Sequence, residues 1–573
     1  MRLILKYIRP YILLALLAPL SILAEVWAEL AQPDLMASIV DQGILGRDAD
    51  IIMPTCVKML AIMLLGVAGG IFSIYAAGRV SYSMGADLRA DVYERVSRLA
   101  FADIDRLEVS SLITRMGDDV TRVQQVVQSS MRLLFRAPLL FFGAVVMALL
   151  IDVRVSVIIV SVMLASFFFM LSLMRWAFPR FVALQSRRDG LAAVLREVLV
   201  GVRVAKAYTN EQLELNRFEV ENRGLTLQSI AVGRAMSWLM PVISFALNAA
   251  VVLVIYFGAA EVGTGAMGVG GIMAAISYLA QIQIAIMMAS HVIISVTQAR
   301  ASIARIAEIL ATPTESERDA QSTYGLPSMH FSPGTLLFRD VSFSYPADSS
   351  AFTLSHVSFS LPVGATMAIM GETGSGKSTI VNLIARFYDP TQGSISIGDT
   401  DLRSIVRDEL HAHVAVVRQS PTLFAGSIRQ NLLMACPDAS DDDIRQALAD
   451  ASLADFVDSL PQGLDSRVEQ GGRNLSGGQR QRLCIARAIV SRPDILVLDD
   501  SLSALDATTE SHVRASLARL SCTKVVVTQR VSTAMRASMI LMLNAGHVEA
   551  LGSHADLLAS CPTYRDIFDA QSS

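Results

Sequence analysis

The sequence predicts an all-α six-helix transmembrane half followed by an α/β half. Long apolar segments fill the chain to about Leu310, and short Val/Ile/Leu runs alternating with helical stretches begin after Thr335. Composition agrees: of 573 residues, 53% are hydrophobic and 17% charged, a balance that calls for burial in lipid. Between the halves, ATPTESERDAQSTYGLPSMHFSPG is polar and rich in Pro, Ser and Thr, as a linker is. The expected boundaries are therefore 1–312 for the membrane half, 313–334 for the linker and 335–573 for the α/β half. Net charge is −4, so no nucleic-acid partner is indicated. The five cysteines have no CxxC pair or ligand spacing and read as free thiols in a reducing compartment.

Six segments are long enough to span a hydrocarbon core that takes about 20 helical residues. They lie near 11–40, 53–78, 131–151, 155–176, 236–260 and 270–295. The start, MRLILKYIRPYILLALL, is basic and then apolar like a secretion signal. No small-residue cleavage site follows it, so it reads as an uncleaved first span. The charged, proline-free stretches between the second and third spans and between the fourth and fifth are too long for loops. They are expected to form cytosolic helical hairpins. Arg79, Arg89, Arg95, Arg98, Arg115 and Arg122 crowd the first, and Arg187, Arg188, Arg203 and Lys206 the second. The short connections are poor in Lys and Arg, so both termini, the hairpins and the α/β half are placed on the cytoplasmic side.

Glu25 and Glu29 stand four apart on one helix face, and Gln281, Gln283 and His291 lie in the sixth span. Carboxylates at membrane depth face a cavity or a partner, unless they sit wetted near the outer end. A cavity position would favour cationic amphipathic cargo. The many methionines read as packing filler rather than metal ligands.

GETGSGKST, from Gly371 through Glu372, Thr373, Gly374, Ser375, Gly376, Lys377 and Ser378 to Thr379, fits G-x-x-x-x-G-K-[ST]. It follows a strand-like run and opens a helical one, the context that gives the motif meaning. Glycines let the backbone amides point at phosphate oxygens, Lys377 reaches the β- and γ-phosphates, and Ser378 ligates Mg²⁺. LSGGQ, with Ser476, Gly477, Gly478 and Gln479, opens a second helix. One nucleotide does not need two phosphate-gripping helix starts, so the second is expected to serve a nucleotide held by another subunit. ILVLDDS (495–501) ends an apolar strand at Asp499 and Asp500.

Over nearly its whole length the chain resembles a half-transporter of the ABC exporter superfamily, a membrane domain fused to an α/β P-loop ATP-binding domain. The resemblance implies ATP and Mg²⁺ as ligands, Tyr345 of FSYP stacking on adenine, and Gln419 of VRQSPTLF contacting Mg²⁺. It also implies Asp499 as the metal-binding carboxylate and Asp506 of SALD at a dimer interface. Helices near Arg115–Asp119 and Ala207–Glu211 would be the tips coupling the two domains. It further implies an ATP-driven translocase, active as a dimer in a bacterial cell membrane, that moves hydrophobic or amphipathic molecules. Two positions depart from the family pattern. Asp500 stands where a glutamate base is expected and Gln529 where a histidine contacts the γ-phosphate. Aspartate is one methylene short, and a misplacement of about 1 Å can cost roughly 100-fold in rate. Glutamine cannot take a proton. The pair resembles the degenerate-site subunit of heterodimeric exporters. Alternatives are a homodimer using Asp500 as base, and a nucleotide-gated regulatory membrane protein.

Overall fold

The computed structural model describes residues 2–321, 329–345 and 351–572. The chain divides into two compact units, Met1–Glu94 with Leu112–Ala311, and Arg95–Ser111 with Thr312–Ser573.

The first unit is helical: Ile12–Ser38, Ala49–Ser97, Val120–Ile151, Val153–Ala207, Glu211–Ser237 running into Leu239–Gly263, and Val269–Ala311. By length and composition, five described stretches can cross a membrane: Leu3–Leu45, Ala49–Ser97, Val109–Ile151, Pro241–Gly263 and Val269–Ala289. The span expected at 155–176 falls on Val153–Ala207, whose described apolar run is Val153–Phe169. Leu13, Leu64, Phe142 and Val252 point outward, as helices in lipid require. Small residues let backbones close up: a Cβ on Gly66 would meet the Ala28 Cβ at 2.5 Å, and one on Gly70 the Glu25 carboxyl carbon at 3.2 Å.

Of the positions open to Glu25 and Glu29 the structure shows a charged partner, and one expectation, the turn of the first hairpin, changes. Glu25 and Glu29 are ion-paired: Arg136 lies 2.9 Å from Glu29 and 3.5 Å from Glu25, and Arg132 lies 3.7 Å from Glu25. An unneutralised pair of carboxylates awaiting a cation is therefore not what the helices build. Gln281 donates to the Glu29 carbonyl at 3.0 Å, while the His291 side chain lies outside the described residues. The first hairpin, moreover, does not turn at Arg115–Asp119. That stretch is a wide helical turn, with Arg115 bonded to Glu308 at 2.8 Å and Asp119 to Arg305. The chain reverses around the short helix Phe101–Leu107, where Ala100 is extended and Glu108 has φ 59°. The second turn, Tyr208–Asn210, separates helices ending at Ala207 and beginning at Glu211, where a tip is expected.

In the second unit, β1 (Leu336–Phe343), β2 (Leu354–Leu361), β4 (Gln392–Ile397) and β5 (Thr400–Asp401) form one antiparallel sheet in the order β2-β1-β4-β5. A six-stranded sheet contains β3 (Thr366–Gly371), β6 (Val414–Val417), β9 (Ile495–Asp499), β10 (Thr523–Val527), β11 (Met539–Asn544) and β12 (His547–Gly552), in the order β12-β11-β3-β10-β9-β6. A small ribbon joins β7 (Gly426–Ser427) to β8 (Arg467–Val468). Every residue of β9 is buried, the pattern of a central parallel strand covered on both faces. Helices Lys377–Ile384 and Gly477–Val490 complete the core.

The linker is not a loose tether. Glu315–Gln321 is a helix, held through Asp319 to Arg386 at 2.8 Å and Arg407 at 3.1 Å, and through Arg318 to Asp103 at 2.5 Å. Residues 322–328 of the expected linker lie outside the described residues.

Candidate nucleotide site

Parallel register puts the ends of three strands side by side. Val527 of β10 pairs with Ile369 of β3 and with Asp499 of β9. The loops leaving these carboxyl ends enclose the site, as in other open α/β sheets. After β3 the chain must turn within a few residues. Gly376 adopts φ +100°, and a Cβ there would come within 2.5 Å of Leu354 Cδ2. Only glycine fits both the angle and the space. The helix that follows starts at Lys377 without a side-chain cap, so its first amides stay open to a ligand.

A cavity of about 280 Å³ is lined by Thr373, Gly374, Gly376, Lys377, Ser378, Thr379, Gln419, Asp499, Asp500 and Gln529, joined by Thr353 and Val527. Lys377 donates to the carbonyls of Gly371 at 2.8 Å and Glu372 at 2.5 Å. Ser378 Oγ donates to Asp499 Oδ1 at 3.3 Å, and Gln419 Nε2 to Asp500 Oδ2 at 3.4 Å. Burial raises the pKa of Asp499, and its neighbour Asp500 adds to this against the Ser378 bond. Burial also raises Asp500, opposed by Ser503, Lys377, Arg530 and Gln419. Burial lowers Lys377, while the two carboxylates pull the other way. Asp500 sits at φ 46°, a strained region for a residue with a side chain. It is held there by its N–H to the Val527 carbonyl at 3.1 Å.

Ser375 and Tyr345 lie outside the cavity lining. Tyr345 packs edge-on to Phe343 and Tyr388, and its hydroxyl is 3.3 Å from Thr379 Oγ1 and 3.2 Å from Asn382 Nδ2. Ser476, Gly477, Gly478 and Gln479 do not line the cavity either. Ser476 caps its own helix: Gln479 N–H donates to Ser476 Oγ at 3.2 Å, and Ser476 N–H to Gln479 Oε1 at 2.8 Å. Asp506 caps the next helix, accepting from the Thr509 amide at 3.0 Å.

Several residues beside the site were not singled out by motif. Phe387 and Tyr388 follow the P-loop helix. Phe387 stacks on Phe101 at 4.5 Å, and the Tyr388 hydroxyl donates to Asp105. An aromatic pair just past a P-loop helix was the available signal. Behind Gln529, Arg530 and Arg514 both pair with Glu510, which is buried.

The donor set suits a small hard cation with a polyphosphate: a hydroxyl and a carboxylate oxygen within hydrogen-bond reach, and no thiol or imidazole. Among the described residues there is no His/Cys/Asp/Glu cluster able to hold a metal alone.

Comparison with known proteins agrees with this geometry. The ABC transporter transmembrane region family matches residues 15–286, and the ABC transporter family matches 354–503. The chain is 34% identical to the "Uncharacterized ABC transporter ATP-binding protein YfiB" of Bacillus subtilis (strain 168), over 99% of this chain and 98% of that one. It is 30% identical to an "ATP-dependent lipid A-core flippase" of Thiobacillus denitrificans, over 99% of this chain and 97% of that one. A solved "bacterial Atm1-family ABC exporter with ATP bound" superposes with TM-score 0.78 at 23% identity, covering 99% and 98% of the two chains. The chain thus belongs to the ABC transporter family, an ATP-driven translocase half with a membrane region and an ATP-binding domain fused in the fold of an ABC exporter.

Proposed function

We propose that this chain is one subunit of an exporter that moves amphipathic drugs or lipids out of the cytoplasm or inner leaflet of a bacterial cell membrane. Its own P-loop site binds ATP with Mg²⁺ but hydrolyses it slowly, and its LSGGQ completes the active site of a second, different half-transporter. The observation that carries this reading is the pairing of Asp500 with Gln529 in one cavity opposite Lys377. The two substitutions that weaken base and γ-phosphate contact meet in the same place, while all binding elements are present.

In this reading Lys377 and the amides from Thr373 to Thr379 hold the phosphates, and Ser378, Asp499 and Gln419 hold the cation. Tyr345 stacks on the adenine. Mg²⁺, when bound, neutralises charge on the phosphate oxygens. Asp500 already accepts from Gln419 and is anchored through its backbone to β10, so its short side chain has little freedom to reach toward an attacking water. Gln529 donates a hydrogen bond but cannot take up a proton. Ser476 and Gly477 face the partner's γ-phosphate. A lipid-like cargo is supported by the lipid A-core flippase name carried by relatives.

The test is ATPase activity of the full chain in nanodiscs, alone and mixed with the candidate second half-transporter. Turnover should be low alone and rise at least tenfold in the mixture. Robust turnover alone would instead establish the homodimer with Asp500 as base.

A further inference from the structure

Gln529 lines the nucleotide cavity from an exposed position, on the short segment between β10 and the four-residue helix Val531–Ala534. Where its side chain points depends on how the backbone of that segment is held. Every polar group of the two peptides that follow Gln529 has a partner. In the first peptide, Arg530 N–H donates to Thr528 Oγ1 at 3.0 Å, and the Gln529 carbonyl accepts from Gln571 Nε2 at 2.8 Å. In the second, Val531 N–H donates to Gln571 Oε1 at 2.9 Å, and the Arg530 carbonyl accepts from the Thr533 and Ala534 amides at 3.1 and 3.2 Å. One carboxamide from helix Pro562–Ser572 therefore grips both peptides, across a sequence separation of 42 residues.

The grip is preorganised by packing. Tyr564, on the same helix, is fully buried and bonds through its hydroxyl to His554 Nδ1 at 2.8 Å. It shares a core cluster with Val531, Ala534 and the β3 residues Ala368 and Met370, and Ile567 and Phe568 pack against that cluster. Tyr564, Ile567, Phe568 and Gln571 stand at i, i+3, i+4 and i+7, which is one helix face. The apolar members seat the helix, and the last member is delivered to the Gln529 backbone. A carbonyl and an N–H must be met together there. Only a carboxamide offers a neutral donor and an acceptor side by side, and asparagine is one methylene shorter.

We propose that Gln571 is a positioning residue for this chain's nucleotide site. Its carboxamide holds the peptides beside Gln529 so that the Gln529 side chain meets the γ-phosphate, and it thereby sets the preference of the site for a nucleoside triphosphate over a diphosphate. Gln571 itself lines no part of the cavity and acts through Gln529. The inference rests on the reading of Gln529 as the γ-phosphate contact.

The experiment measures binding of AMP-PNP and of ADP, each with Mg²⁺, to the full chain in nanodiscs, and takes the ratio of the two affinities. Gln571→Ala should weaken AMP-PNP about fivefold, the scale of a lost hydrogen bond, and leave ADP nearly unchanged because ADP has no γ-phosphate. Gln571→Glu keeps the acceptor for Val531 but sets a carboxylate against the Gln529 carbonyl, and should lose at least as much. Gln529→Ala should lower the same ratio. Adding Gln571→Ala to it should cost nothing further, since the second residue works through the first. Thermal melting of each variant checks folding. A Gln571 that merely ties down its helix would weaken both nucleotides alike, or would add its loss to that of Gln529→Ala; either result overturns the proposal. If Gln529→Ala lowers the ratio and neither Gln571 variant does, the proposal falls and the γ-phosphate reading stands. If Gln529→Ala leaves the ratio unchanged, the γ-phosphate reading falls and takes the proposal with it.

Discussion

Helices Lys377–Ile384 and Gly477–Val490 both begin among glycine and serine, yet their starts differ in how they are capped and in what surrounds them. The first has Gly376 at its cap in a left-handed conformation, no side-chain cap, and a cavity in front of it with two carboxylates. The second is sealed by the reciprocal Ser476–Gln479 bonds and lines no part of that cavity. Such a capping box is worth about 1 kcal/mol. The same helix-end electrostatics therefore face a cavity in one place and not in the other. The difference lies in the neighbours, and under the proposed function the second helix serves a nucleotide held by another subunit.

The largest effect should come from disturbing the start of the second helix. In the assembled transporter, Ser476→Arg should cut steady-state ATPase by about 100-fold or more, the loss typical of removing transition-state stabilisation. Lys377→Ala should weaken nucleotide retention in this chain and cost less turnover. If the lysine change proves the more damaging in the same assay, the chain's own P-loop carries the chemistry and the comparison fails. Next in size, Asp500→Glu with Gln529→His should raise ATPase of the chain alone by roughly 10- to 100-fold, restoring about 1 Å of reach. No gain in the double variant would locate the defect elsewhere.

A smaller effect follows from the carboxylates. The Asp500 charge helps raise the pKa of Asp499, after burial. Because both pKa values are raised, protonation begins above the ordinary carboxylate range, and the cation site weakens as pH falls through the raised values. Asp500→Asn removes one charge and lowers Asp499. Mg²⁺-dependent nucleotide binding should then survive to more acid pH than in wild type, as a binding titration across pH would register. Smallest is Tyr388→Phe, which deletes the bond to Asp105 but keeps the ring against Tyr345. About 1 kcal/mol of stability should be lost, read as a modest drop in the melting temperature of the full chain with nucleotide affinity nearly unchanged.

What could be read in the sequence was what is contiguous. GETGSGKST, LSGGQ and ILVLDDS each place their chemistry within a few residues, and strand-then-helix order fixes where those residues emerge. Tyr345 and Gln419 carry no such local signal, and only the family resemblance singles them out. Contacts between distant residues were out of reach. Arg132 and Arg136 lie in a helix of their own, and nothing in that helix announces that they neutralise Glu25 and Glu29. The first hairpin's tip, placed at Arg115–Asp119 by the family resemblance, lies instead around Phe101–Leu107, and no local pattern at Leu99, Ala100 or Glu108 marks it. There the reversal is imposed by tertiary packing: Asp105 meets a tyrosine 283 residues away.

The inclusion of Arg95–Ser111 in the ATP-binding unit means that the ATPase is not a detachable cassette. A fragment cut from the chain at the linker would leave Phe387 without its stacking partner, Tyr388 without its acceptor, and the buried guanidinium of Arg386 without Asp319. Such a fragment would uncover the Phe387 ring and leave Arg386 with Asp389 as its remaining carboxylate, and its stability would describe that loss rather than the enzyme. Evolution faces the same restriction. An ATPase domain exchanged into this chain without a matching Arg95–Ser111 segment should lose the Phe101–Phe387 and Asp105–Tyr388 contacts.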